Sequence, residues 1–208
     1  MGVGFTLCIK TIKNLGSEKH AKFAKHIFKF KEVGCFGLTE LGHGSNVKGI
    51  ETTATYDKLT WEFVINTPNE KSMKFWIGGA AKAATVCVIW AQLIIDDHWY
   101  GVHAFVGWIR NKNHDLMPGV IIGDCGLKQG VHGIDNGFLV FENFWLPYDS
   151  LLDKFCSITS DGIYQSPLKS STWFALSLAS LSTGRLTITS GSSRCGVLAC
   201  QIALWFAC

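Results

Sequence analysis

Three short stretches hold the side chains best suited to chemistry: Gly34-Cys-Phe-Gly-Leu-Thr39-Glu40-Leu-Gly-His43-Gly-Ser45-Asn46, Glu51-Thr-Thr-Ala-Thr-Tyr56-Asp57, and Lys74-Phe-Trp76-Ile-Gly78-Gly79. A Thr hydroxyl beside a Gly-flanked loop, with an aromatic ring and open backbone N–H groups arriving from a second loop, is what a planar, hydrogen-bond-rich heterocycle requires. Other chemistries find less support. There is no Ser-His-Asp order, no phosphate loop and no metal-ligand cluster. Gly42–Asn46 and Gly130-Val131-His132-Gly133 are rich in glycine but lack both the Walker Lys-Ser/Thr ending and the strand-to-helix dinucleotide arrangement, so they read as turns. Glu40, Glu51, Glu62, Glu142 and Asp149 are dispersed, and spacing alone brings no two of them together for acid–base work. His43, His103 and His132 read as polar loop or strand residues rather than ligands.

Composition narrows the classes further. Of 208 residues, 48% are hydrophobic and 17% charged, which suits a buried core and not a disordered chain. The formal net charge of +3 is too small for a phosphate-tracking surface, so no nucleic-acid partner is expected. The positive charge concentrates before Val33, where Lys19, Lys22, Lys25 and Lys29 recur at helical spacing with Phe23, Ile27 and Phe30 on another side. That pattern predicts an amphipathic helix with a solvated basic face. The cysteines at 8, 35, 87, 125, 156, 195, 200 and 208 form no Cys-x-x-Cys pair, so free thiols in a reducing or peroxisomal interior are expected. No secretory signal is read at the N-terminus, and the apolar runs Ala83–Ile95 and Cys195–Cys208 are shorter than the roughly 20 residues of a membrane-spanning helix.

The elements that must carry the three stretches are mostly strands. Glu51–Tyr56, a turn at Asp57-Lys58, and a segment with Trp61, Phe63 and Ile65 on one side predict a hairpin. Further β-rich runs at Thr85–Ile95, Val102–Ile109, Gly119–Ile122 and Gly137–Phe144 follow without helical periods between them, which argues for an antiparallel sheet or barrel. Beyond Ser170, the segments Trp173–Leu181, Leu186–Ser190 and Gly196–Trp205 read as helices, and the last is so apolar that either a partner covers it or it is sticky.

These residues resemble the peroxisomal acyl-CoA oxidases of the acyl-CoA dehydrogenase superfamily, from about Gly34 to Leu204. Thr39-Glu40-Leu-Gly-His-Gly is similar to the oxidase form of the superfamily's Thr-Glu-Pro-x-x-Gly-Ser signature. Glu51–Asp57, Gly101-Val-His-Ala-Phe-Val, Asp135-Asn-Gly-Phe, Leu146-Pro and Gly184-Arg185 match in the same order. The resemblance implies an α+β chain in which an antiparallel, barrel-like middle domain lies between helical segments of an incomplete dehydrogenase/oxidase fold. Its implied divisions are residues 1–33, remnant of an N-terminal helical domain; 34–160, the flavin- and acyl-CoA-binding β-domain; and 161–208, the start of a truncated C-terminal helical domain.

The resemblance also implies function. FAD is the cofactor and a fatty acyl-CoA the substrate, with Thr39 hydrogen-bonded to the isoalloxazine, Gly78 offering backbone near its reactive nitrogen, Trp76 packed beside it, and Ser45 reaching phosphate or substrate oxygen. A Glu removes the α-proton as the β-hydrogen passes to the flavin as hydride, giving trans-2-enoyl-CoA; oxygen then takes the electrons and leaves as hydrogen peroxide. Dehydrogenase relatives carry Thr where this chain has Gly78, and the missing side chain leaves room for oxygen. The family's catalytic Glu lies beyond residue 208, so no carboxylate here takes that role. After Gln201-Ile-Ala-Leu the family continues Arg-Tyr-Ser, whereas this chain reads Trp205-Phe-Ala-Cys, and Trp-Trp-Pro-Gly-Gly becomes Phe75-Trp-Ile-Gly-Gly. The chain therefore reads as a truncated form. An oligomer of like or unlike subunits and peroxisomal residence are the family expectation, although Phe206-Ala-Cys is not a Ser-Lys-Leu-type address. The competing readings are a noncatalytic partner of a full-length oxidase and a membrane-surface protein using the Lys10–Lys31 segment.

Overall fold

The computed structural model describes residues 2–159, 161–179 and 181–207; Cys208, and Ser160 at the expected domain boundary, lie outside them. A π-helical turn, Gly4–Cys8, runs into α1 (Ile9–Leu15), and a 3-10 turn at Glu18–His20 leads to α2 (Ala21–Phe28). In α2 Phe23, Ala24 and Ile27 share the buried face, while Lys22 and Lys25 point to solvent. Lys19 departs from the expected basic face. It pairs with Asp149 at 2.9 Å and Asp153 at 2.5 Å, and with Ser17 donating to Asp153 and His20 Nε2 lying 2.9 Å from the Asp149 carbonyl it holds the helices against the β-structure. Phe30 also departs, because α2 ends before it. Its backbone turns left-handed at φ 55° and its exposed ring packs on Phe5 at 5.1 Å.

The strands are β1 (Gly34–Gly37), β2 (Thr53–Asp57), β3 (Glu62–Asn66), β4 (Lys74–Gly78), β5 (Val86–Ile95), β6 (His98–Trp108), β7 (Val120–Asp124), β8 (Asn136–Phe141), β9 (Phe144–Pro147), and the short pair β10 (Ser157–Ile158) and β11 (Tyr164–Gln165). The larger sheet, curled into half a barrel, has β5 at its centre. β6 runs antiparallel along one edge of β5 for its whole length. The other edge takes β1 against Val86–Ile89 and β2 against Gln92–Ile94, both parallel. The sheet is therefore mixed, which corrects the all-antiparallel expectation. The chain leaves β1, makes a loop excursion over residues 38–52, and returns to the same edge in the same direction. Burial on both faces explains why β5 reads as a nearly continuous apolar run, Val-Cys-Val-Ile-Trp-Ala-Gln-Leu-Ile-Ile. A second sheet, β4-β8-β7, is antiparallel.

The β2–β3 hairpin forms with Tyr56 opposite Phe63. Phe63 and Ile65 are fully buried, but Trp61 sits in the turn at φ 62° and remains half exposed, because a left-handed backbone removes it from the strand's alternation. After β11, α3 (Ser170–Leu178) is followed by one continuous helix, α4 (Leu181–Ala207). The last two of the three helical pieces expected there merge because nothing between Arg185 and Arg194 breaks the backbone: Gly191 lowers helix propensity without ending the helix. Leu186, Ile188, Val197, Leu198, Ile202 and Leu204 of α4 are exposed. No described helix is long and apolar enough to cross a membrane.

Phe63 and Trp61 give an internal test of this register. Phe63 contacts Tyr56, Phe105 and Tyr148, so Phe63→Ala should cost about 3–5 kcal/mol in urea unfolding. Trp61→Ala should cost under about 1 kcal/mol. Equal losses would contradict the register.

Candidate functional site

The residues singled out for heterocycle binding are built from two strand ends. Thr39 follows β1, and Trp76 and Gly78 belong to β4. All three lie on the wall of one cavity of about 680 Å³, together with Ser45. The Thr39 hydroxyl donates to the Phe75 carbonyl at 3.0 Å, so its proton is committed and its lone pairs are left to accept from a ligand N–H. The two strand ends are joined directly, because Phe75 N donates to Thr39 O at 3.1 Å and Glu40 forms an isolated antiparallel bridge with Lys74.

Beneath that bridge lies an ion pair with no solvent access to either side chain. Lys74 Nζ is 3.0 Å from Glu40 Oε1 and also donates to the Leu38 carbonyl at 3.3 Å. Glu40 spends its remaining acceptor capacity on the end of the excursion: Oε1 takes the Thr52 amide at 3.0 Å and its hydroxyl at 2.6 Å, and Oε2 takes the Glu51 amide at 2.8 Å. Burial alone would raise the Glu40 pKa, but the Lys74 ammonium and the Thr52 and backbone hydrogen bonds outweigh it and hold the carboxyl below its ordinary range. Burial likewise depresses Lys74, with Glu40 opposing. His43 Nδ1 lies 3.0 Å from Glu40 Oε2 and its Nε2 3.7 Å from Glu51 Oε1. Two carboxylates thus flank one imidazole. The fold returns residue 51 to residue 40, which linear spacing does not show.

Gly78 is held by a second clamp, on the turn at residues 79–84 that follows β4. The Asp135 carboxylate accepts from the amides of Ala81, Lys82 and Ala83 at 3.0, 3.0 and 3.1 Å, and its carbonyl accepts from Gly79 N at 2.8 Å. From the other side the buried Arg110 guanidinium donates to the carbonyls of Ala80, Ala81 and Ala84. Trp76 sits at a β-bulge between Lys74 and Ile77 with φ 62°; its ring is half exposed, and Lys128 Nζ lies 5.8 Å from its centroid. A Cβ built on Gly78 would come within 3.3 Å of Val3, so the cavity wall has little room for a side chain there.

Sequence reasoning missed much of the wall. Val3 and Leu7 at the N-terminal π-helical turn, Lys48 of the excursion, Phe174 and Leu178 of α3, and Arg185 of α4 all reach the same cavity. Arg185 was legible as part of a motif but not as a wall residue, and the apolar contributors look like ordinary core-facing residues. Phe174 and Lys48 also line a neighbouring hollow beside Gln92, Tyr100 and Trp173, and those three residues border a further hollow with His98, Trp99 and Tyr164. Among the described wall residues of the main cavity there is no Asp or Glu. His103 lies away from it, fully buried in β6, and burial pushes its pKa down to about 4. His132 is in the exposed loop before β8.

No protein-family model matches the chain. It is 43% identical over 206 residues to acyl-coenzyme A oxidase 3, peroxisomal, of Arabidopsis thaliana, covering 98% of this chain and 30% of the relative. Identity to human peroxisomal acyl-coenzyme A oxidase 3 is 45% over 194 residues, covering 92% of this chain and 28% of the relative. Among solved structures, Arabidopsis thaliana acyl-CoA oxidase 1 superposes with a TM-score of 0.85 at 35% identity, covering 93% of this chain and 30% of that one. Caenorhabditis elegans acyl-CoA oxidase-2, bound with FAD, ascaroside-CoA and ATP, gives 0.80 at 33% identity, covering 86% and 27%. The α+β fold that carries the cavity is thus similar to that of solved acyl-CoA oxidases. In sequence and fold it is similar to acyl-CoA oxidases over nearly its whole length, and it spans about 30% of the length of the curated relatives it matches.

The buried pair that sets the cavity can be tested by unfolding. Glu40→Gln strands the Lys74 charge and should cost about 3–5 kcal/mol, Lys74→Met should cost less, and the double variant should recover part of the Glu40→Gln loss. A Glu40→Gln chain as stable as wild type would contradict the pairing.

Proposed function

We propose that this chain forms the flavin- and thioester-facing part of a peroxisomal acyl-CoA oxidase. The proposed reaction is FAD-dependent oxidation of a fatty acyl-CoA to trans-2-enoyl-CoA, with electrons passed to oxygen to give hydrogen peroxide, a step of fatty-acid β-oxidation. The observation that carries this reading is the placement of the Thr39 hydroxyl and the Gly78 backbone on one wall of one cavity. The residues present fit FAD: an oriented acceptor hydroxyl suits a ring N–H, a glycine suits close approach of a planar ring, and Lys48, Arg185, Ser45 and Asn46 supply positive charge and hydrogen bonds for a diphosphate. FAD, when bound, supplies the two-electron acceptor. This chain's own residues bind, orient and exclude water; with no carboxylate on the described wall, they do not take the α-proton.

Other features accord with the same reading. The neighbouring hollows that share Lys48, Phe174 and Trp173 suit an extended thioester ligand such as an acyl-CoA. Within it, residues 1–33, 34–160 and 161–208 act as an N-terminal helical part, a middle β-domain and the start of a C-terminal helical part. The exposed apolar side chains of α4 are proposed to meet further helices or subunits.

Flavin uptake tests the reading. The purified chain should take up FAD with a perturbed absorbance band, and Thr39→Val, which deletes the acceptor, should weaken binding about tenfold. A chain that stays colourless in excess FAD would overturn it. Gly78→Thr places atoms against Val3 and the cavity, so photoreduced flavin on that variant should reoxidise in air more slowly than on wild type. Unchanged reoxidation would remove oxygen access from the account.

A further inference from the structure

Among the described residues of α3, the large buried side chain is Trp173, which is 3% exposed. Its indole N–H donates to the Val102 carbonyl at 3.0 Å, and its ring stacks on His103 with centroids 5.0 Å apart and planes 27° from parallel. His103 has one consistent hydrogen-bond assignment. Nδ1 lies 3.0 Å from the Gly101 carbonyl, which only accepts, so Nδ1 carries the proton; Nε2 is then bare and accepts the Tyr164 O–H at 2.9 Å. The imidazole is therefore locked in one tautomer and one orientation by groups on both edges. α3 has nine residues, no side-chain cap and no acidic residue in its first turn, and so short a helix is marginal without tertiary support. Phe174, next to Trp173, and Leu178 both face the ligand cavity.

We propose that His103, oriented by Tyr164, is a positioning residue for the cavity: it seats Trp173 and thereby fixes the Phe174 and Leu178 wall against which the ligand packs. The functional half of this inference rests on the flavin and acyl-CoA reading of the cavity. Neither residue lines the main cavity, although Tyr164 lines an outlying hollow, so their effect on the Phe174 and Leu178 wall travels through the α3 backbone.

The test combines amide hydrogen exchange of residues 173–178 in the ligand-free chain with FAD affinity. His103→Ala removes the seat, His103→Phe keeps a stacking ring, and Tyr164→Phe deletes only the hydroxyl on a half-buried ring. Exchange in α3 should rise about tenfold in His103→Ala while β5 and β6 keep their protection, FAD affinity should fall by about the same factor, and His103→Phe should recover most of both. Tyr164→Phe, which is expected to fold whatever His103→Ala does, should show the same pattern at about threefold. Wild-type exchange in α3 for both His103→Ala and Tyr164→Phe would overturn the proposal, as would a rise spread equally over β5 and β6. Altered α3 exchange in a chain whose wild type binds no FAD would uphold the Trp173 seat and overturn the reading of the cavity, so the two failures are distinguishable.

Discussion

The buried Glu40–Lys74 pair is the constraint from which the site's geometry follows. Two charges without solvent access are tolerable only when each is matched and the remaining hydrogen-bonding capacity is used. Glu40 meets that condition by taking Lys74, the Thr52 amide and hydroxyl, and the Glu51 amide at once. Satisfying one carboxylate therefore closes the loop excursion between β1 and β2 and ties the larger sheet to β4 of the smaller one. Thr39 and Trp76 sit within two residues of this lock, on strand ends that the pair holds in register.

A second level of order acts on the turn after β4. Asp135 gathers its amides and Arg110 its carbonyls, so that both polarities of the turn's backbone are met by fixed side chains. Gly78 consequently presents backbone, with no side chain of its own, to the cavity. The rest of the wall is brought by helical segments from both ends of the chain, so the cavity forms where the N-terminal helical turn, the strand ends of the two sheets, α3 and the start of α4 meet.

Much of this was legible in the residues. The hairpin at 53–66 announced itself through alternation, and the Thr-Glu signature and the Trp-Ile-Gly-Gly segment were recognisable as stretches belonging together. Phe30 and Trp61 misled because each adopts a left-handed backbone that periodicity cannot register. The parallel placement of β1 and β2 on one edge of β5 was hidden as well: a buried run such as Val86–Ile95 looks the same in parallel and antiparallel company. His43 joining Glu40 to Glu51, and Asp135 reaching across to the 79–84 turn, are contacts between residues whose separation in sequence carries no sign of their meeting.

By itself the amino-acid sequence determined the local elements, the strand-rich middle and the family resemblance, because side-chain alternation, turn residues and motif order are properties of neighbours along the chain. Only the tertiary structure decided that Glu40 is a structural anion, that Val3 and Phe174 share a wall, and that His103 lies under Trp173. Those outcomes depend on desolvation and on the matching of hydrogen-bonding groups across distant segments, and neither exists until the segments are packed together.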